Sequence, residues 1–330
     1  MILASKIGAG CATTTYRLNE NFPTHYGDST MTATRHTARF REIISQPGCV
    51  IQPAIFNPLS AKIAQACGFE ALCLGGYAMG AHTAITEPLM SLEEVAQCVR
   101  GVRQVSDLPL MVDAGAGWGD PLHVMRTVKV LEQAGASSLH IEDQFFPKRA
   151  RYHMGVEEVI SMEEMIQKIH AACQARHDPD FVIVVRTDAM RTHGYAEGIR
   201  RCNAYVQAGA DMIMIFPDSD EDTKNARRDV PDVPLVYVNS TGNKFNRGVY
   251  TRDQLNEWGY KILYDAISSV NVVARTLFAY YSELNSTGAH GLDNDEMVHI
   301  RARVEKAIGL EDMYKLEQAT LGDIHMPKLS

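Results

Sequence analysis

The sequence predicts an α/β protein, a closed (β/α)8 barrel of the TIM type with extra C-terminal helices, and three observations predict it. Short apolar and β-branched runs alternate with amphipathic segments of helical length, the pattern left by parallel strands and the helices that cover them. Four runs follow a glycine that ends a helix, in ACGFEALCL, QAGASSLHI, QAGADMIMI and EWGYKILY, where glycine suits the left-handed position after the last turn. No GxGxxG follows the first run, and the runs number eight, which favours closure over an open doubly wound sheet.

In chain order, residues 1–30 are polar and irregular, and helical patterning opens at Met31 with MTATRHTARFREII. Residues 1–37 are therefore expected to form an N-terminal arm or extension, ahead of a catalytic barrel over 38–285. The strands are expected at CVIQPAI (49–55), ALCLGG (71–76), PLMVDAG (109–115), SLHIED (138–143), FVIVVRTD (181–188), MIMIF (212–216), PLVYVNS (234–240) and KILYDA (261–266). Between them apolar residues recur at three and four, as in SLEEVAQCVRGV (91–102) and PLHVMRTVKVLEQA (121–134). The second of these opens with Asp120 as cap and Pro121 in the first turn. After the eighth strand, helices are expected from about 267 to 284 and from about 293 to 308, so 286–330 reads as a C-terminal helical extension. That is more helix than one barrel needs, and an oligomer follows as the default.

A net charge of −8 and a pI near 5.8 argue against a nucleic-acid partner, which a basic surface would attract. No apolar run reaches the ~18 residues of a membrane span. The N-terminus MILASKIGAGC is a poor secretion signal, and the seven scattered cysteines contain no CxxC pair. Both fit a cytoplasmic enzyme with reduced thiols.

Barrel enzymes of this type carry their chemistry at the C-terminal ends of the strands. There the sequence sets Gly75 and Gly76, Asp113, Glu142 and Asp143, Arg186 and Asp188, and Asn239 and Ser240. Asp113 and Glu142 beside an arginine can hold Mg2+ through carboxylates and waters, or can close the barrel top as a ring of ion pairs. Arg186 offers a planar fork for a carboxylate or phosphonate, or a partner for Glu142. Gly75 and Gly76 let backbone amides approach an oxyanion, or simply make a tight turn. His140 reads as a core histidine, with His82, His123 and His193 as open candidates. The segment FFPKRARYHMG (145–155) has the composition of a gating loop. Its Lys148, Arg149 and Arg151 could draw in an anion, and Tyr152 or His153 could supply a proton.

The strings VDAGAGWGDP, SLHIEDQFFPKR, VVRTDA, GADMI and VNSTG, in that order, resemble the isocitrate lyase and phosphoenolpyruvate mutase superfamily over residues 38–285. The chain resembles the methylisocitrate lyases and 2,3-dimethylmalate lyases of that superfamily as a divergent member. The resemblance implies an eighth helix swapped between subunits, a dimer of dimers, Mg2+ as cofactor, and a 2-oxo or 2-hydroxy acid substrate that passes through an enolate. Carried over by residue, it implies that Asp113 and Glu142 bind the metal, that Arg186, Asn239, Gly75 and Gly76 bind substrate, and that Lys148 belongs to the gating loop.

The departures are as informative. Gly115 stands where the family has the second acid of its Asp-x-Asp motif, Gly75 where it has a serine, Cys73 where it has a tyrosine and Phe216 where it has a glutamate. An acid that follows the strand-two loop is replaced by Thr86 or Glu87 within AITEPLMS. The lyases' loop cysteine, their general acid, is missing from the run Lys148, Arg149, Ala150, Arg151, Tyr152, His153, and so is the mutases' Lys-x-Asn-Ser. The implied activity is cleavage of a carbon–carbon bond in a small di- or tricarboxylic acid, with Mg2+ and with Lys148, Arg149, Tyr152 and His153 as the catalytic set. The alternatives are phosphonomutase or phosphonopyruvate-type hydrolase chemistry, and a binding protein with a decayed site.

Overall fold

The computed structural model describes residues 35–154, 158–243 and 247–321. Eight parallel strands close into a barrel in sequence order: β1 (Val50–Ile55), β2 (Leu72–Leu74), β3 (Leu110–Asp113), β4 (Ser138–Glu142), β5 (Val182–Arg186), β6 (Met212–Ile215), β7 (Leu235–Asn239) and β8 (Ile262–Asp265). Closure is made by β1 pairing with β8, Val50 standing opposite Ile262.

Side-chain alternation along each strand divides the core in two. Ala71, Cys73, Met111, Val182, Val184, Met212, Met214, Val236, Val238, Ile262 and Tyr264 point into the barrel. Their neighbours Leu72, Leu110, Val112, Leu139, Ile183, Val185, Ile213, Leu235 and Tyr237 pack outward against the helices. The helix His36–Ser45 brings Phe40 and Ile44 to the inner cluster, and its Arg41 donates to the backbone oxygens of Pro179, Asp180 and Phe181 just before β5. It thus plugs the N-terminal end of the barrel and leaves the other end to the site.

Local signals in the sequence appear as structure. Asp120 accepts from the amides of Leu122 and His123 at the start of Pro121–Ala134. Ser91 and Glu94 form a reciprocal capping box at the start of Leu92–Arg103. Gly68, Gly135, Gly209 and Gly259, the four glycines expected to end helices, all have positive φ.

The strands are shorter than the apolar runs suggest. β2 stops at Leu74, and Gly75 and Gly76 are the cap and first residue of a helix, Gly76–Thr83, within a stretch whose glycines read as loop. A further short helix, Ala189–His193, follows Asp188. Leu310–Leu321 adds a helix beyond the two expected after β8.

After β8, Ser268–Thr287 runs past the expected barrel end at 285 and buries none of its residues. Val272, Val273, Leu277, Phe278 and Tyr281 lie exposed along it. No helix among the described residues is long and apolar enough to cross a membrane.

Candidate active site

The inward-facing positions at the strand ends are Gly75, Asp113, Glu142, Arg186, Phe216 and Tyr264 by the same alternation. Register brings Glu142 opposite Arg186 on β4 and β5. Arg186 Nη1 lies 3.1 Å from Glu142 Oε2, while its Nε and Nη2 donate to Asp188 Oδ1 at 3.2 and 2.8 Å. Nη2 also donates to the Tyr152 hydroxyl at 2.8 Å. The loop after β4 therefore lies down on the barrel mouth.

That loop delivers Lys148. Its Nζ sits 2.9 Å from Glu142 Oε1, is ion-paired with Glu87, and lies 4.2 Å over the Tyr152 ring. Glu87 rather than Thr86 is thus the acid that follows the strand-two helix into the site. Asp113 is held by two backbone amides, Gly76 donating to Oδ2 and Gly115 to Oδ1, both at 2.9 Å.

Two neighbouring motifs form one locked unit. Asp143 accepts from the Thr187 hydroxyl, the Asp188 amide, Arg201 and the Tyr205 hydroxyl, and Gln144 donates to Asp188 at 2.8 Å. IEDQ and RTDA therefore occur together because each satisfies the other's buried polar groups.

Electrostatics sort the titratable groups. Burial alone would raise Asp113, but His140, Lys148, Arg186 and the Gly115 amide bring it down to about 2. Burial raises Glu87 despite Lys148, giving a carboxyl suited to proton exchange. Burial would lower Lys148, yet Glu142 and Glu87 hold it well above its ordinary value, so it is a permanent cation. Burial pushes the Tyr152 phenol up to about 12 against the pull of Arg186 and Lys148, so it keeps its proton at neutral pH. Burial lowers the pKa of His140, 3.8 Å from Asp113 Oδ2, against the pull of that carboxylate.

Other expected residues stand apart. Asn239 shares the outward parity of Tyr237, and its amide is spent on the backbone of Tyr250, donating to O at 2.7 Å and accepting from N at 3.1 Å. Arg149 is exposed, and Arg151 pairs with Glu158 on the outer side of the loop. The His153 side chain lies outside the described residues. His82, His123 and His193 are exposed.

Two residues that no sequence signal singled out complete the mouth, Tyr264 from β8 and Arg247 from the segment after β7. The glycines explain the first. A Cβ on Gly75 would stand 1.9 Å from Tyr264 Oη, and one on Gly76 would stand 2.6 Å from Glu87 Cδ and 2.7 Å from Asp113 Oδ2. Their missing side chains make room for groups arriving from other elements. Gly75→Ser is expected to lower stability by about 1–3 kcal/mol through overpacking, with Tyr264→Phe restoring part of it. Thermal melts of the single and double variants check this, and an unshifted melting temperature for Gly75→Ser contradicts it.

The donor set admits Mg2+ in one form. Among the described residues no group of three or more His, Cys, Asp or Glu side chains converges as a direct metal cage. Glu142, however, is fully buried with neither oxygen accepting a well-directed hydrogen bond, although two cations lie close to it. A cavity of about 40 Å³ borders Asp113, Gly115, Glu87 and Lys148. Mg2+ characteristically keeps several waters and takes one or two carboxylates, so Asp113, which borders this cavity, and Glu142, which lies outside its lining but has unengaged oxygens, are the acids that could hold a hydrated ion.

A family model described as phosphoenolpyruvate phosphomutase matches residues 40–284. A probable 2-methylisocitrate lyase of Corynebacterium glutamicum is 33% identical over 287 residues, 86% of this chain and 92% of that protein. The 2,3-dimethylmalate lyase of Eubacterium barkeri is 30% identical over 284 residues, 85% of this chain and 96% of that protein. The solved structure of phosphonopyruvate hydrolase with oxalate and Mg2+ superposes with a TM-score of 0.75 at 25% identity, covering 87% of this chain and 100% of that one.

Proposed function

This chain belongs to the phosphoenolpyruvate phosphomutase family, and on that premise we propose that it is a Mg2+-assisted lyase. Its substrate is a small 2-hydroxy or 2-oxo di- or tricarboxylic acid, whose carbon–carbon bond breaks through an enolate. The observation that carries the reading is the Lys148 ammonium seated between Glu87 and Glu142 beside the Arg186 guanidinium. Two fixed cations at the barrel mouth can stabilise the oxyanion that develops as the bond breaks. Relatives that are lyases at 30–33% identity support carbon–carbon chemistry.

In this mechanism Glu87, raised by burial, accepts the substrate hydroxyl proton. As the carbonyl forms, the carbon–carbon bond breaks and its electron pair passes into the acid fragment as an enolate. The Tyr152 phenol then returns a proton to the enolate carbon, the task of the loop cysteine in the related lyases; His153 is the other loop residue available for it. Held through water by Asp113 and Glu142, Mg2+ would supply Lewis-acid stabilisation of the enolate. Arg186 grips a carboxylate, and the closed loop excludes water.

A panel of 2-hydroxy diacids incubated with Mg2+ tests this, the expected product being pyruvate, glyoxylate or oxaloacetate from at least one member. Release of none of these from any member sinks the proposal. The likeness to phosphonopyruvate hydrolase supports a second reading, cleavage of a carbon–phosphorus bond, which phosphorus NMR with phosphonopyruvate distinguishes.

Gly115, standing in place of the family's second acid, gives a further expectation. A Cβ on Gly115 would meet nothing within 4 Å, and its φ of +48° is one that Asp tolerates better than most residues. Gly115→Asp is therefore expected to tighten Mg2+ binding about tenfold or more, read by calorimetry. An unchanged affinity would count against a metal at Asp113 and Glu142.

For the assembly, we take the helix Ser268–Thr287, anchored to the barrel at Ser269 and Val270 but with no buried residue and an exposed apolar face, as exchanged between subunits in a dimer of dimers. Sedimentation of the full chain as a monomer would overturn this. Its dispersed thiols, none in a disulfide among the described residues, fit work in the cytoplasm.

A further inference from the structure

Arg247 is a buried cation with too few partners. Its residue is 7% exposed, and its Nε has no hydrogen-bond partner among the described residues. Nη1 and Nη2 reach only Val238 O and Ser240 Oγ, each at 3.4 Å. No ion pair to it occurs among the described residues, and the neighbouring positions 244–246 are Lys, Phe and Asn, none of them acidic. Asp218, which is exposed, feels the charge of Arg247 and of Arg191 but forms no ion pair or hydrogen bond with Arg247 among the described residues.

Its place in the fold is specific. The guanidinium lies 4.6 Å from the Phe216 ring centroid, and Arg186 lies 4.3 Å from the same centroid. The two cations differ in charge balance. Arg186 is met by Glu142 and Asp188, whereas Arg247 has Phe216 where the family pattern has a glutamate. Burial draws the Arg247 pKa below its ordinary value, with Arg191 and Arg186 adding repulsion. A buried guanidinium with idle donors costs several kcal/mol unless an anion arrives to meet it. An arginine that presents Nε and Nη together is shaped for a carboxylate.

We infer that Arg247 binds a second carboxylate of the substrate, one remote from the carbon that reacts, and so selects for di- and tricarboxylic acids over monocarboxylic ones. The inference rests on the lyase reading above and names the feature of the substrate that this site requires. Ser240, on the inward parity of β7, orients the guanidinium. The Phe216 ring keeps the two cations stacked while leaving the Arg247 charge for the ligand.

The test compares 2-oxoglutarate with 2-oxopentanoate, which share the oxo-carboxylate head and differ in the remote carboxylate, against oxalate, which lacks a remote group. Calorimetry on the full chain with Mg2+ is expected to find 2-oxoglutarate bound about 10- to 100-fold more tightly than 2-oxopentanoate. Arg247→Met should abolish that preference, leave oxalate affinity within about twofold and raise the melting temperature, because an unneutralised buried charge is removed. Arg247→Lys should recover part of the preference. An Arg247→Met protein that binds oxalate normally yet keeps the native preference overturns this inference alone, as does a lowered melting temperature with that preference intact. If the native protein binds no oxalate, the lyase reading fails and this inference fails with it.

Discussion

Replacing Lys148 by Met is expected to lower kcat/KM by about 10³-fold or more and to lower the melting temperature as well. Lys148 is the shared counter-ion of Glu87 and Glu142, both buried, and breaking a buried pair from one side costs about 3–5 kcal/mol because the remaining charge is left unmet. Two carboxylates would be stranded together, and Glu87, already raised by burial, would lose the ammonium that holds it down, so it should take up a proton at higher pH than in the native protein. The stability loss of the variant should therefore shrink as pH falls and Glu87, whose pKa burial raises, becomes neutral. Steady-state kinetics with the substrate found by the diacid panel and melts between pH 5 and pH 8 provide the check. Activity within threefold of the native protein would remove Lys148 from the mechanism.

Arg186→Lys is expected to cost about 10²- to 10³-fold in kcat/KM. The guanidinium meets Glu142 through Nη1, Asp188 through Nε and Nη2, and Tyr152 through Nη2, and a single ammonium cannot reproduce that fork. Loss of the Tyr152 contact should show in kcat, since the phenol is then no longer positioned as the acid, and loss of carboxylate binding should show in KM. The native pH–rate profile should have no alkaline limb from Tyr152 near neutrality, because the phenol is held at about 12. A near-native kcat in Arg186→Lys would show that Tyr152 needs no support from Arg186.

The barrel-top acids were legible because strand alternation is a local property. Once β3, β4 and β5 are recognised, the same two-residue period that puts Met111, His140 and Val184 inside puts Asp113, Glu142 and Arg186 inside with them. The same period sets Asn239 on the other face. It follows Val238, which faces in, so its side chain falls with Tyr237 on the helix side and serves the Tyr250 backbone. Family resemblance named the residue, and the pleat decides where it points.

Asp113, Glu142 and Arg186 are thus the part of the site that the sequence determines by itself, together with the eight-stranded barrel, because both depend on short-range periods and caps. Where the loop residues land was decided only by tertiary structure. Lys148 meets Glu87 across a separation of 61 residues. Arg247 comes to share the Phe216 ring with Arg186 from another strand's loop. Tyr264 fills the space left by Gly75 from the far side of the closure. None of these meetings has a period in the chain: each follows from which loops a closed barrel gathers at one mouth, and from the pull of buried charge on opposite charge once they are there.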